Sequence, residues 1–527
     1  MADLAQELIE HVERGQMLDL ATDENVDEAA MRSWGRERTV PADALRNILR
    51  GKTVAHPDPH GLQLRGAHIT GCLDLRNLTT EVGLELHDCL IDEGLVARAT
   101  HLPFLVLDGS LLEGSPDEAP LSADRLTTVF LSLGDVTITS SDSLGAVQLV
   151  AAHIGNLHCF GAKLRNDSGP ALHADSLQVD HDVFLTDGFE AVGGGQGGAV
   201  RLLGAHIGTL DCSGAKLRNG SGPALDTDSL QVDHAVFLTD GFEAVGGGDL
   251  AAVGLVGAHI GGQLNCSGAK LRNDTGPALH AQHLQVNRDV LLSDGFEVLG
   301  GSETALDLTD AQIGGTLFFA PRSLRQFERS CHLKVDGLSY AGLIEPDWRS
   351  WLGLLSSATF TYAAQPYQQL AAAHRAAGHD HDARLVLRRQ RRDQLRRASS
   401  WGEWLWGWFT GLTLGYGYQP WRALVGLAAV VLAAVLLATH GPGAHGGLAH
   451  AKTGRVVTAA ACSTTERIGV GLDIGLPLIQ TGVRSRCDTT DTRAGDSLTL
   501  YGWILQGLAW AFFTLFVAGF TSAVRKT

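Results

Sequence analysis

The stretch AVRLL-GAHIG-TLDCS-GAKLR-NGSGP-ALDTD-SLQVD-HAVFL-TDGFE-AVGGGD, residues 199–249, decides the fold. Outside the two loop-like pieces NGSGP and AVGGGD it divides into pentads. Each pentad has an aliphatic or Cys centre with a small or apolar residue two positions earlier. A period of two puts both on one face of a short strand, and the intervening His, Lys or Asp on the other. Four such sides close one rectangular coil, so the stretch makes two coils with two loops. Each coil can bury its inner face only against its neighbours, which defines a solenoid.

The pattern recurs. Ala-His-Ile-Gly occurs at 152–155, 205–208 and 258–261, and Ala-Gln-Ile-Gly at 311–314, so His153, His206, His259 and Gln312 mark a repeat of 53 residues. Each copy also carries Gly-Ala-Lys-Leu-Arg-Asn, Gly-Pro-Ala-Leu and Asp-Gly-Phe-Glu, and a weaker relative begins at Leu64-Arg65-Gly66-Ala67-His68-Ile69. The fold expected is mainly β: a right-handed parallel β-helix, a quadrilateral solenoid of ten or so coils rising by about 4.8 Å each. A helical reading fits poorly, because Gly and β-branched residues are frequent and no apolar 3.6 period persists.

Composition agrees and excludes other classes. Gly is 64 of 527 residues, about 12% against a usual ~7%. Coil corners need positive φ or close backbone approach, and Gly supplies both. Only 15 Pro excludes collagen, and an apolar share of 44% excludes disorder. A net charge of −17 argues against nucleic acid as partner. Eight Cys are too sparse for a disulfide scaffold.

The chain changes character along its length. Residues 1–54 read as an N-terminal helical cap, with helices at Ala2–Gln16 and Pro41–Arg50, and residues 55–338 as the β-solenoid. Residues 339–415 read as a helical hairpin around Gly378-His379 followed by a Trp-rich interfacial segment. The hairpin's second helix carries Arg384, Arg388, Arg389, Arg391, Arg392, Arg396 and Arg397, opposed only by Asp393. Of ten Trp, only Trp34 precedes residue 348; Trp401, Trp404, Trp406 and Trp408 cluster just before an uncharged run. Residues 416–527 read as a membrane domain with spans at Gln419–Thr439 and Leu500–Ser522. Each is long enough for a ~30 Å hydrocarbon layer, and Trp and Tyr stand at the entrances as interfacial belts.

The Arg block orients the chain. Basic residues beside a span mark the cytoplasmic side, so the solenoid and the N-terminus are expected in the cytoplasm. Arg525 and Lys526 put the C-terminus there too, making a multi-pass inner-membrane protein. The loop between the spans then faces outward, where Cys462 and Cys487 are expected to pair. Arg388, Arg389, Arg391, Arg392, Arg396 and Arg397 form a basic collar, read either as a binding surface for anionic lipid heads or as a topology signal alone.

Trp34 followed by Val40-Pro41-Ala42-Asp43-Ala44-Leu45-Arg46, the run Leu62–Gly71 and the tail Gly415-Tyr416-Gly417-Tyr418-Gln419-Pro420 carry a resemblance. With the solenoid they resemble actinobacterial pentapeptide-repeat-like membrane proteins, often labelled "membrane-associated oxidoreductase". The resemblance spans nearly the whole chain and implies a β-helix tied to a membrane. It brings no catalytic motif to match residue by residue, and the pentads here depart from the regular Ala-Asp/Asn-Leu-x-x form.

His153, His206 and His259 form an outward ladder, but two coils apart they stand ~9–10 Å from each other, too far to share an ion held at ~2 Å. Cys159, Cys212 and Cys266 point inward at the same spacing, beyond the ~7 Å Cα limit for a disulfide. His379-Asp380-His381-Asp382 resembles a metal or proton site, but Asp380 at a helix start is a natural cap. Gly193-Gly194-Gly195 and Gly246-Gly247-Gly248 open no helix, as a dinucleotide fingerprint must. Asp187, Asp240 and Asp294 with Glu190, Glu243 and Glu297 recur in every copy and read as a loop feature. Ile468–Val483, apolar and Gly-rich, is either a re-entrant segment of a span–pore–span channel or a packed amphipathic loop.

The expectation is a membrane-anchored cytoplasmic β-helix that binds or scaffolds a protein partner, with no catalytic residue, cofactor or metal. The alternatives are an oligomeric two-span channel or transporter regulated by the β-helix, and a membrane-associated oxidoreductase by family label.

Overall fold

The computed structural model describes residues 2–22, 26–54, 56–115, 118–141, 143–301, 304–320, 332–359, 362–397, 421–450 and 461–525. The Trp cluster at 401–408 and the tail Gly415–Pro420 lie outside them. The chain forms two compact units, Met1–His379 and Asp380–Thr527. The boundary falls inside the stretch read as a helical hairpin.

The first unit is a parallel β-solenoid of about eleven turns. Its strands form three sheets: a first of 17 short strands, and a second and third of 11 each. Four pentads per turn are still recognisable, but two of them share the first sheet. At His153–His158 and His206–Asp211 they run on as one six-residue strand, whereas Gln231–Val232 and Val236–Phe237 are separate. The junction between them is a place of close approach. A Cβ on Gly155 would lie 2.3 Å from the Val129 carbonyl oxygen, and one on Gly208 2.2 Å from that of His181. Gly is therefore fixed there by the neighbouring turn's backbone.

At the next corner, leading into the second sheet, Gly shares the positive φ with Asp. Gly66, Asp88, Gly109, Asp135, Gly161, Asp187, Gly214, Asp240, Gly268 and Asp294 occupy it, at φ between 48° and 75°. Asp tolerates the left-handed region because its short polar side chain bonds locally. Thr186 Oγ1, for example, donates to Asp187 Oδ2 at 3.4 Å.

The core explains why the repeat spans two turns. Lys163 pairs with Glu190, and Glu190 with Lys216. The residues just before them, Ala162, Phe189 and Ala215, therefore stack on successive turns, and all are buried. Two positions on, Leu164, Ala191 and Leu217 stack likewise. One turn offers small-then-large and the next large-then-small. Phe242–Ala244 and Ala269–Leu271 continue the alternation, with each of the four buried. Large side chains thus meet small ones above and below, which keeps the interior close-packed. Cys159, Cys212 and Cys266 are fully buried members of the same core. Burial pushes the Cys266 thiol up to about 12 and raises the other two also.

The N-terminal segment is more than a helical cap. Helices α1 (Ala2–Arg14), α2 (Glu28–Ser33) and α3 (Ala42–Leu49) alternate with two strands. Leu18–Asp19 pairs with Leu64–Arg65, and Thr39–Pro41 with His68–Thr70. These strands cover the sheet edges that the first complete coil would otherwise expose. At the other end the strand Ser339–Tyr340 is followed by α4 (Trp348–Ser357) and α5 (Gln365–Ala376). Buried Trp351 packs edge-on against Phe319, ring centroids 4.9 Å apart.

The second unit contains α6 (Asp380–Arg396), α7 (Trp421–Thr439), α8 (Thr464–Gly475) and α9 (Arg493–Arg525). Two of them, α7 and the Arg493–Ala518 part of α9, are long and apolar enough to cross a membrane. Leu424, Val425, Leu432 and Leu436 on α7 and Trp503, Ile504 and Leu508 on α9 are exposed.

Candidate functional site

The outer surface of the solenoid is organised in rows, because parallel in-register pairing stacks equivalent positions. On the first sheet the row runs Thr127, His153, Gln178, His206, Gln231, His259, Gln285, Gln312. Each His is thus separated from the next by a Gln turn, roughly 10 Å away in all. His153 Nε2 contacts Asp180 Oδ1 at 2.9 Å, and His206 Nε2 contacts Asp233 Oδ1 at 3.0 Å. The His153 and His206 imidazoles are exposed, and each looks to a carboxylate one turn on, not to another His.

A groove of about 490 Å³ borders this row, lined by Glu81, His101, His153, Asn156, Asp180 and His181 among others. Val129 lies in it with 71% of its surface exposed. The pentad pattern hid this groove. Two of its lining residues, Asp180 and His181, lie where Gln178–Phe184 carries one residue more than either neighbouring strand.

On the second sheet Lys163, Glu190, Lys216, Glu243, Lys270 and Glu297 stack one per turn. Lys270 Nζ reaches Glu243 Oε1 at 3.1 Å and Lys216 Nζ reaches Glu190 Oε1 at 3.8 Å. The reading of these Glu as loop residues is corrected: they open the strands Glu190–Gly193, Glu243–Gly246 and Glu297–Gly300. Asp187, Asp240 and Asp294 are the corner residues described above.

The Gly triplets have a packing role. A Cβ on Gly194 would stand 2.1 Å from the Asp167 carbonyl oxygen, and one on Gly247 2.2 Å from that of Gly220. They lie under the loops that follow Asn166 and Asn219. Those Asn side chains are buried clamps: Asn219 Oδ1 accepts from the Ser221 and Gly222 amides at 3.0 and 3.2 Å.

The third sheet carries the row His173, Arg201, Asp226, Gly254, His280, Asp307, Lys334. Asp175 joins the first two, 3.2 Å from His173 Nε2 and 2.9 Å from Arg201 Nη2. Burial, and then the neighbouring Asp228 carboxylate, push the Asp226 carboxyl up to about 6.

A cleft of about 580 Å³ lies between α2 and the early turns, bordered by Asp27, Arg65, His87, Asp88, Asp108 and Asp135. Its arginine is held by two carboxylates. Arg65 Nε donates to Asp88 Oδ2 at 2.8 Å and Arg65 Nη1 to Asp19 Oδ2 at 3.2 Å. The His87 ring is held more basic than usual by its hydrogen bond to Glu85.

In the second unit α6 carries the basic collar. Arg391, Arg392, Arg396 and Arg397 are exposed, while Arg388 and Arg389 are half-buried. Arg389 Nε donates to buried Asp393 at 3.2 Å, one helical turn away. Asp380 and Asp382 occupy the first turn of α6, where carboxylates complement the helix dipole. Cys462 and Cys487 form a disulfide, Cα atoms 6.1 Å apart, packed among Leu448, Val470, Ile474 and Leu498.

Comparison with protein-family models, curated proteins and solved structures finds no match to this chain.

Proposed function

We infer that the chain is a binding or scaffold module: a cytoplasmic β-helix held at the inner membrane by two spans. One observation carries the reading. The solenoid repeats the same outward residues turn after turn in register, above all the His/Gln row with its groove at His153 and Asp180. Repeated weak contacts gain by avidity, and a protein partner with its own repeat suits such a face.

The membrane reading draws on two apolar helices whose side chains face outward from their own unit. The disulfide supports an oxidising compartment for the segment between the spans. The Arg block on α6 supports the cytoplasmic side for the solenoid and both termini. Arg388, Arg389, Arg391, Arg392, Arg396 and Arg397 are then suited to anionic lipid heads, at about 1 kcal/mol per basic residue near the surface.

Proximity labelling in the native host, with the label fused at the N-terminus, tests the scaffold. The expected result is a recurrent protein partner that is lost when His153, His206 and His259 are all replaced by Ala. No enrichment over an untethered label overturns the reading.

A second reading, a channel regulated by the solenoid, is favoured by α8, which packs against both α7 and α9. Two spans make a pore only around a symmetry axis. A monomeric mass in lipid nanodiscs rejects it.

A further inference from the structure

Helix α8 runs back along α7. A Cβ on Gly471 would lie 2.6 Å from the Val435 Cα, and one on Gly475 2.8 Å from the Val431 Cα. As α8 advances, its contacts on α7 therefore retreat from Thr439 toward the middle of the helix. Gly471 and Gly475 are the small residues of a Gly-x-x-x-Gly pair, which lets two backbones approach this closely. Ile474 lies over Gly502, so α8 is seated between α7 and α9. Val431 is eight residues inside the end of α7, roughly 12 Å at 1.5 Å per residue. That is nearly half of a ~30 Å hydrocarbon layer.

Beyond Gly475 the chain turns at Leu476-Pro477-Leu478-Ile479 and returns to Cys487. At this turn Leu478 is 67% and Ile479 59% exposed. The helix end and the returning segment are clipped together: the Thr481 amide donates to the Asp473 carboxylate. Polar backbone at membrane depth needs such internal partners. At the start of α8, Ser463 and Glu466 form a reciprocal capping box, and the Cys462–Cys487 bond closes the mouth.

We propose that Ser463–Arg486 is a re-entrant hairpin, closed by the disulfide, whose tip Leu478-Ile479 rests in lipid hydrocarbon at mid-bilayer. The inference rests on α7 being a membrane span. Its partner is the acyl chain region: the depth of Val431 sets the tip where water is absent, and the two exposed large tip side chains, Leu478 and Ile479, are apolar.

The test uses the full chain with Cys72→Ser and Cys331→Ser, reconstituted in phosphatidylcholine liposomes. Single Leu478→Cys, Leu432→Cys and Asp491→Cys variants carry a nitroxide, and oxygen and a water-soluble nickel chelate serve as collision partners. The labels at 478 and 432 are expected to meet oxygen readily and the chelate several-fold less than the label at 491. A label at 478 that meets the chelate as often as 491 does, with 432 still protected, overturns the hairpin alone. A label at 432 that behaves like 491 overturns the membrane span beneath it. Gly471→Leu, which prises α8 from α7, is expected to move the 478 label toward water and leave 432 unchanged; an unmoved 478 label counts against α8 as the element that holds the tip.

Discussion

Lys270 Nζ lies 3.1 Å from Glu243 Oε1, one turn of the solenoid away on an exposed row where cation and anion alternate. Both residues are solvated, so the pair is worth little by itself, a few tenths of a kcal/mol. Reversing the charge is different. Lys270→Glu sets three carboxylates in line with Glu243 and Glu297. Lys270→Ala should leave the denaturation midpoint within error, while Lys270→Glu should cost about 1 kcal/mol. The loss should shrink at high salt, because exposed charges are screened. A salt-independent loss would point to packing instead.

Glycines of two kinds should respond differently to Ala. Gly204 has φ +61° with nothing near its would-be Cβ, and Ala151 adopts φ +54° at the equivalent corner. Gly204→Ala should cost about 1 kcal/mol or less. Gly247 faces the Gly220 carbonyl at 2.2 Å, and backbone cannot swing aside as a side chain can. Gly247→Ala should cost about 3 kcal/mol or more. Melting temperatures of the two variants, compared with the parent, rank the two effects; equal losses would count against this account.

Asp226 gives the fold a predictable pH response. Its carboxyl titrates near 6 in the folded chain against an ordinary 3.8, through burial and Asp228. Below about pH 4 both folded and unfolded chains hold the proton. Between 4 and 6 the unfolded chain has released it and the folded chain has not, so stability falls as pH rises through that window. The full effect is at most about 3 kcal/mol. Asp226→Asn should flatten this fall, giving a more stable protein at pH 7 and little change at pH 4. Urea midpoints at the two pH values decide it. A parallel fall in parent and variant would assign the dependence to other groups.

The solenoid was legible because a period-two pattern, repeated at constant spacing, survives any detail of corner geometry. His153 outside and Ile154 inside follow from alternation alone. The corners were less legible. Asp187 at φ +53° and Ala151 at φ +54° carry no mark that separates them from loop residues. At Ala151 a ladder hydrogen bond from its amide to the Asp175 carbonyl holds the corner. The strand at Leu18–Asp19 was hidden for a similar reason: two residues have no period, and only Leu64–Arg65 gives them a partner. The sequence of Ile468–Val483 fits two readings, since what separates them is the approach of Gly471 to the α7 backbone, a contact between residues far apart in sequence.

The alternation of Ala162–Leu164 with Phe189–Ala191 bears on how such a rod can change length. Removing one turn would bring two like layers together, Phe on Phe or Ala on Ala, and would break the phase of the His/Gln and Lys/Glu rows. Removing or adding 53 residues does neither. The repeat region is divisible only in double turns, so its outer rows are graduated in steps of roughly 10 Å.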